Sequence, residues 1–133
     1  WTLPFRFLEA GARYRALGIL EDFGESWDVV EVAFDDRPGH PGDVFTAYYN
    51  LATGCLHHAY DTSRERSRFA RGLIRYDGYT RAEGIVWPSD LHVALTAPLP
   101  LALHHLRFTD IHRDPAFDPG GFEKPAAPVT KEN

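Results

Sequence analysis

The chain has 133 residues and a formal net charge of −5, with 44% hydrophobic and 14% aromatic residues. That length suits one domain with its own core, burying roughly two thirds of its unfolded surface. The composition excludes a disordered chain, the acidic balance argues against nucleic-acid binding, and no apolar run approaches the ~20 residues of a membrane-spanning helix.

In chain order, "LPFRFLEAGA" predicts a short helical turn closed at Gly11. Runs rich in β-branched and aromatic residues follow, and these predict strands near 12–20, 26–35, 43–51, 55–63, 67–77, 84–96 and 102–113. Between them lie the breaks "EDFGES", "DRPGHPG", "LATG", "SRERS", "DGYTRAEG" and "APLPL". Most of these breaks are short, and short connections join antiparallel neighbours. The expected fold is therefore mainly β, a curled antiparallel meander of about seven strands forming an incomplete barrel. A single β domain over 1–125 is followed by a Pro- and Ala-rich tail, 126–133, expected to be flexible. The chain begins at Trp1 and contains no methionine, which is taken to mean that an upstream segment, and any signal peptide in it, lies outside this sequence.

Alternation supports the curled sheet. In "VFTAYYNL", Phe45, Ala47, Tyr49 and Leu51 share one face, and Val44, Thr46 and Tyr48 the other. In "SWDVVEVAF", Trp27 and Val29 oppose Val30, Val32 and Phe34. Both faces are partly apolar, as in a sheet whose concave side is covered by a plug, a second layer or a ligand.

The stretch "NLATGCLHHAYD" carries the one cysteine and two of the seven histidines, His40, His57, His58, His92, His104, His105 and His112. Cys55 lies mid-chain behind polar residues, which excludes a lipid-attachment box. Neighbouring strand residues face opposite ways, so His57 and His58 are not expected to share an ion, nor are His104 and His105. A site would need one member of each pair joined by register, with Asp61, Asp110 or His92. Hairpin pairing of the last two strands brings His92 towards His104 or His105. Zinc sites have tighter local spacings, so the expectation is structural or solvent-facing histidines, with no metal and no cofactor. Ser63, Ser67 and Ser89 lack a nucleophile-elbow context, and "DPGGF" precedes no helix, so no catalytic residue is expected. The "RERSR" run at 64–68 reads as a solvated hairpin tip, and Gly54 as the left-handed residue of a hairpin turn.

The order of these segments resembles a family. "GDVFTAYYNLATGCLHHAYD", "IRYDGYTRAEGIVWPSDLHV" and "LHHLRFTDIHRDPAFDPGGFEKP" look like successive hairpins and the closing segment of the outer-membrane lipoprotein-sorting (LolA-like) superfamily, and "LPFRFLEAG" looks like the loop before them. The resemblance covers positions 3 to about 125, and its motifs are structural. It implies an incomplete antiparallel barrel over an apolar cavity, a periplasmic or cell-envelope location, and carriage of acyl chains without catalysis. The chain lacks the family's N-terminal strands and covering helix, so it resembles the C-terminal half. A half barrel exposes its first strand to a second copy or to a missing N-terminal segment. The expected ligand-binding residues on the concave face are Trp27, Val29, Phe45, Ala47, Tyr49, Phe69, Leu73, Trp87, Leu91 and Leu103. The alternative is a structural module that pairs through its exposed edge strand.

Overall fold

In a computed structural model of the chain, the residues described are 5–8, 11–22, 24–35, 42–62, 64, 69–82 and 84–109. A 3-10 turn, Phe5–Leu8, precedes seven strands: β1 (Ala12–Asp22), β2 (Glu25–Phe34), β3 (Val44–Asn50), β4 (Leu56–Asp61), β5 (Arg71–Ala82), β6 (Ile85–Ala97) and β7 (Leu101–Arg107). They form one antiparallel sheet in sequence order, β1 to β7, an incomplete barrel with β1 and β7 at its ends. The expected tail, the "DPGGF" segment, most of the "RERSR" run, Ser63, Ser67, His40, Asp110 and His112 lie outside the described residues. No helix among the described residues is long and apolar enough to cross a membrane.

Two connections are tighter than their composition suggested. β1 continues through Glu21 and Asp22 and pairs Asp22 with Glu25, so most of "EDFGES" belongs to strands and Gly24 turns the chain at φ 79°. β5 likewise runs on through "DGYTRA" to Ala82, paired with β6 as far as Ala82–Ile85. Gly78 accommodates this with a left-handed φ of 64° inside the strand, where a breaker reading expected a loop. The turn after β3 follows expectation, with Gly54 at φ 69° and the Asn50 side-chain oxygen accepting from the Ala52 and Thr53 amides.

Register determines the two faces. Val30 lies opposite Ala47, Ala47 opposite Ala59, Ala59 opposite Ile74, and Ile74 opposite Val93. This row belongs to the inner face, where Val32, Phe34, Phe45, Leu56, Tyr76 and Leu91 complete a core closed by Phe7 from the 3-10 turn. Phe7 and Phe34 both meet Phe45 edge-on, at centroid separations of 5.4 and 6.0 Å. Phe45 is 2% exposed and Ala47 and Ala59 are fully buried, so the middle of the sheet carries most of the hydrophobic stabilisation. At the margin, Gly42 sits so close that an added Cβ would overlap the Phe34 carbonyl oxygen.

Four extra residues bend the strands. Leu17, His57, Thr96 and Leu103 have no partner of their own in the register between neighbouring strands. Such bulges kink a strand and increase its twist, which curls a sheet without closing it. At β4 the bulge has a further effect: it changes which way a histidine points.

Candidate functional site

The ten residues expected on one concave face divide among several environments. Phe45, Ala47 and Leu91 lie in the inner core, with Tyr49 and the bulged Leu103 packed against it. Trp27 and Val29 are buried on the outer face, because Val29 pairs with Tyr48 while Val30 pairs with Ala47. The sequence alternation placed these two correctly against Val30 and Val32, but not relative to β3, since one residue of register exchanges the faces. Leu73 pairs with Tyr60 and so shares the outer face too. Trp87 is half-buried and meets Phe108 edge-on at 6.0 Å. Phe69 is 62% exposed and precedes β5.

On the inner face, the end of the sheet near β1 is left open. A cleft of about 420 Å³ lies there, lined by Tyr14, Asp28, Val30, Val32, Tyr49, Asn50, Leu51 and Gly54. Tyr14, Val30, Val32 and Tyr49 supply apolar walls from three adjacent strands, and the 50–54 turn supplies the rim. Tyr14 lies across from Val32, and its hydroxyl donates to the Phe7 carbonyl, tying β1 to the plug. Asp28 lies opposite Tyr49 and brings the cleft its one carboxylate. Burial raises the Tyr49 pKa, and Tyr14 and Asp28 push it further in the same direction, so the phenol stays neutral. Only Tyr49 of the expected ligand-binding set lines this cleft.

The outer face is chemically different. His58 lies opposite Tyr48 and Arg75, Arg75 opposite His92, and His92 opposite His105, so one transverse row crosses β3 to β7. His57 is the bulged residue of β4 and joins the same face, contrary to the alternation expected for adjacent strand residues. The His57 and His58 Nδ1 atoms are 2.9 Å apart, and both rings pack on Trp27, at 4.9 and 5.6 Å. Tyr48 stacks on His58 at 4.2 Å. Burial, then the charges of His57 and Arg75, push the His58 pKa down from 6.5 to about 4, so the ring is neutral at pH 7.

Two carboxylates continue the row. Asp77 accepts from Arg75 Nε at 2.7 Å and lies 3.7 Å from both His57 Nε2 and His92 Nε2. Asp90 faces Asp77 across the β5–β6 pair and accepts from His105 Nε2 at 2.9 Å, Arg107 Nε at 3.0 Å and Ser89 Oγ at 3.0 Å. The His105 and Arg107 bonds lead in holding the Asp90 carboxyl far below the usual carboxylate range, which keeps it ionised. His92 and His105 stack at 4.1 Å, as hairpin pairing of the last two strands anticipated. His104 is exposed and pairs with Val93, on the opposite face from His105.

Cys55 is half-buried beside a smaller cleft of about 190 Å³, which Glu25, Asn50, His57, Tyr76, Asp77 and Tyr79 also line. The buried Tyr76 hydroxyl has no hydrogen-bond partner among the described residues, whereas Tyr79 donates to the Leu56 carbonyl. Burial first, and neighbouring ionisable groups second, raise both tyrosine pKa values well above the ordinary value.

No family model, curated protein or solved structure matches this chain. The site is therefore read from its own chemistry.

Proposed function

We propose that this protein is a non-enzymatic binding protein that holds an apolar, acyl-type chain in the inner-face cleft beside β1. The observation that carries the reading is the cleft itself: about 420 Å³, walled by Tyr14, Val30, Val32 and Tyr49 with Leu51 at its rim. That volume lies in the range of small-molecule sites, and apolar walls with a few polar groups are their usual composition. The likeness of the hairpin segments to the LolA-like superfamily points the same way, towards carriage of acyl chains in the cell envelope.

Asp28 refines the ligand. A fatty acid ionised at its head would meet the Asp28 carboxylate, and like charges repel in a partly desolvated site. An esterified or amide-linked acyl chain presents no such charge, so the reading favours acylated carriers or lipids over free fatty acids. The test is fluorescence titration of delipidated protein with a neutral acyl-ester probe and its free-acid counterpart. The ester is expected to bind, with affinity changing by roughly 1.5 kcal/mol per two carbons while the added carbons stay buried. Val30→Glu is expected to abolish binding, and His105→Ala on the far face to leave it intact. Absence of saturable binding by either probe would sink the proposal.

A second reading rests on β1. This edge strand exposes Tyr14, Leu17, Ile19 and Leu20, the last three 46%, 67% and 44% exposed. An exposed apolar edge recruits another strand, and here a second copy of the chain is the candidate partner. Light scattering after size exclusion decides it: a dimer lost in Ile19→Lys supports edge pairing, and a monomer at high concentration removes it.

A further inference from the structure

We propose that Asp90, His92 and His105 form a binding site for a divalent transition-metal ion of the zinc type on the outer face of the β6–β7 hairpin. One donor atom from each of the three residues lies within 4.8 Å of the other two. The placement follows from sheet geometry and needs no loop. Asp90 and His92 are two apart on β6 and so face the same way, and His105 stands directly across from His92 on β7. Two imidazoles and a carboxylate are a donor set for zinc and its first-row neighbours, and leave the remaining positions to water at this half-exposed surface.

The fit needs side-chain movement only. A tetrahedral ion with bonds of about 2.0–2.2 Å requires its donors about 3.3 Å apart. His105 Nε2 and Asp90 Oδ1 are already 2.9 Å apart, so the remaining closure belongs to the more distant donors. Rotation of half-exposed and exposed rings can supply it while the paired backbones stay in place. In the metal-free state the His105 Nε2 proton lies towards Asp90, and taking up an ion there moves that proton to Nδ1 or to solvent.

The surroundings match a metal-binding residue set. Ser89 and Arg107 hold the Asp90 carboxylate in position, as hydrogen-bonding neighbours do for metal-bound carboxylates. Asp77 lies 3.7 Å from His92 Nε2, so a small ring rotation would let it serve as the outer carboxylate that metal-bound imidazoles commonly keep. Arg75 and Arg107 balance the charges of Asp77 and Asp90. An ion must therefore compete with Arg107 for Asp90, which argues for a strongly bonding transition ion over calcium or magnesium. The nearby His57–His58 pair offers two imidazoles but only the Arg75-bonded Asp77 as carboxylate, so it is the internal comparison for the test.

The experiment is calorimetric titration of chelator-treated full chain with zinc, alongside the visible spectrum on titration with cobalt. One ion per chain is expected, with a cobalt spectrum of nitrogen and oxygen ligation. Asp90→Asn, His92→Ala and His105→Ala should each weaken binding by at least about tenfold. His104→Ala, one residue away on the opposite face, and His57→Ala should stay within about twofold of the parent. His105 and His104 are exposed, so circular dichroism of their variants should match the parent and separate lost ligation from lost folding. Absence of saturable binding overturns the proposal. So does binding that survives His105→Ala, or that falls with His57→Ala instead.

Discussion

The two faces of the same sheet use the same strands for different purposes. The inner face is a row of aliphatic and aromatic side chains closed by Phe7, and its members depend on volume and contact. The outer face places Trp27 and four histidines among two carboxylates and two arginines, and its members depend on hydrogen bonds and charge. Each β residue belongs to one face or the other, so one register serves both. The comparison teaches that a bulge is the one local device here that moves a residue between them: in a regular strand His57 would face the opposite side from His58, and the bulge in β4 sets both on the outer face.

The comparison breaks most readily at the core. Phe45→Ala should cost about 3–5 kcal/mol, read as a lower urea midpoint, since the Phe7 and Phe34 rings and both neighbouring strands meet at that side chain. A cost under about 1 kcal/mol would mean that the inner face does not carry the fold. Trp27→Ala is the matching test outside: it should cost about 3 kcal/mol, at the lower end for a buried tryptophan, because its neighbours are half-exposed imidazoles. If it costs nothing, the outer face is only a polar surface.

Acid separates the faces next. The His58 pKa falls from 6.5 in the unfolded chain to about 4 in the fold, so the unfolded state binds more protons between these values. Stability is therefore whole above pH 6.5 and declines as the pH drops towards 4. The ring is partly solvated, which discounts the loss to on the order of 1 kcal/mol. Denaturation midpoints measured across this window should flatten in His58→Gln, and an unchanged slope would place the acid sensitivity elsewhere.

Two smaller effects sharpen the picture. Tyr79→Phe removes the donor to the Leu56 carbonyl and should cost about 1 kcal/mol by thermal melting. Ile19→Lys on β1 should change monomer stability by no more than about 0.5 kcal/mol, because that side chain is already in water. A larger loss would show that β1 is covered in solution.

Much of the architecture was legible along the chain. Short breaks, most of them with Gly or Pro, separate seven β-rich runs, and antiparallel neighbours follow from the brevity of those breaks. Gly54 closes its hairpin as its turn chemistry requires. Other features resisted reading. "DGYTRAEG" has the composition of a loop, yet Gly78 lets β5 pass through it, because pairing with β6 outweighs weak local preference. His57 and His58 obey alternation on paper and break it in the fold, since a bulge is a property of two strands and cannot be read from one.

The sequence by itself determined the class of the fold: alternation and turn residues act within a few positions, and their physics is local. Which residues share a face across strands was decided by the tertiary structure. Register depends on pairing between segments far apart in sequence, and one residue of slip exchanges the two sides. Trp27 and Val29 went to the outer face for that reason. The same pairing set His105 beside His92 and Asp90, a cluster that no local spacing announced.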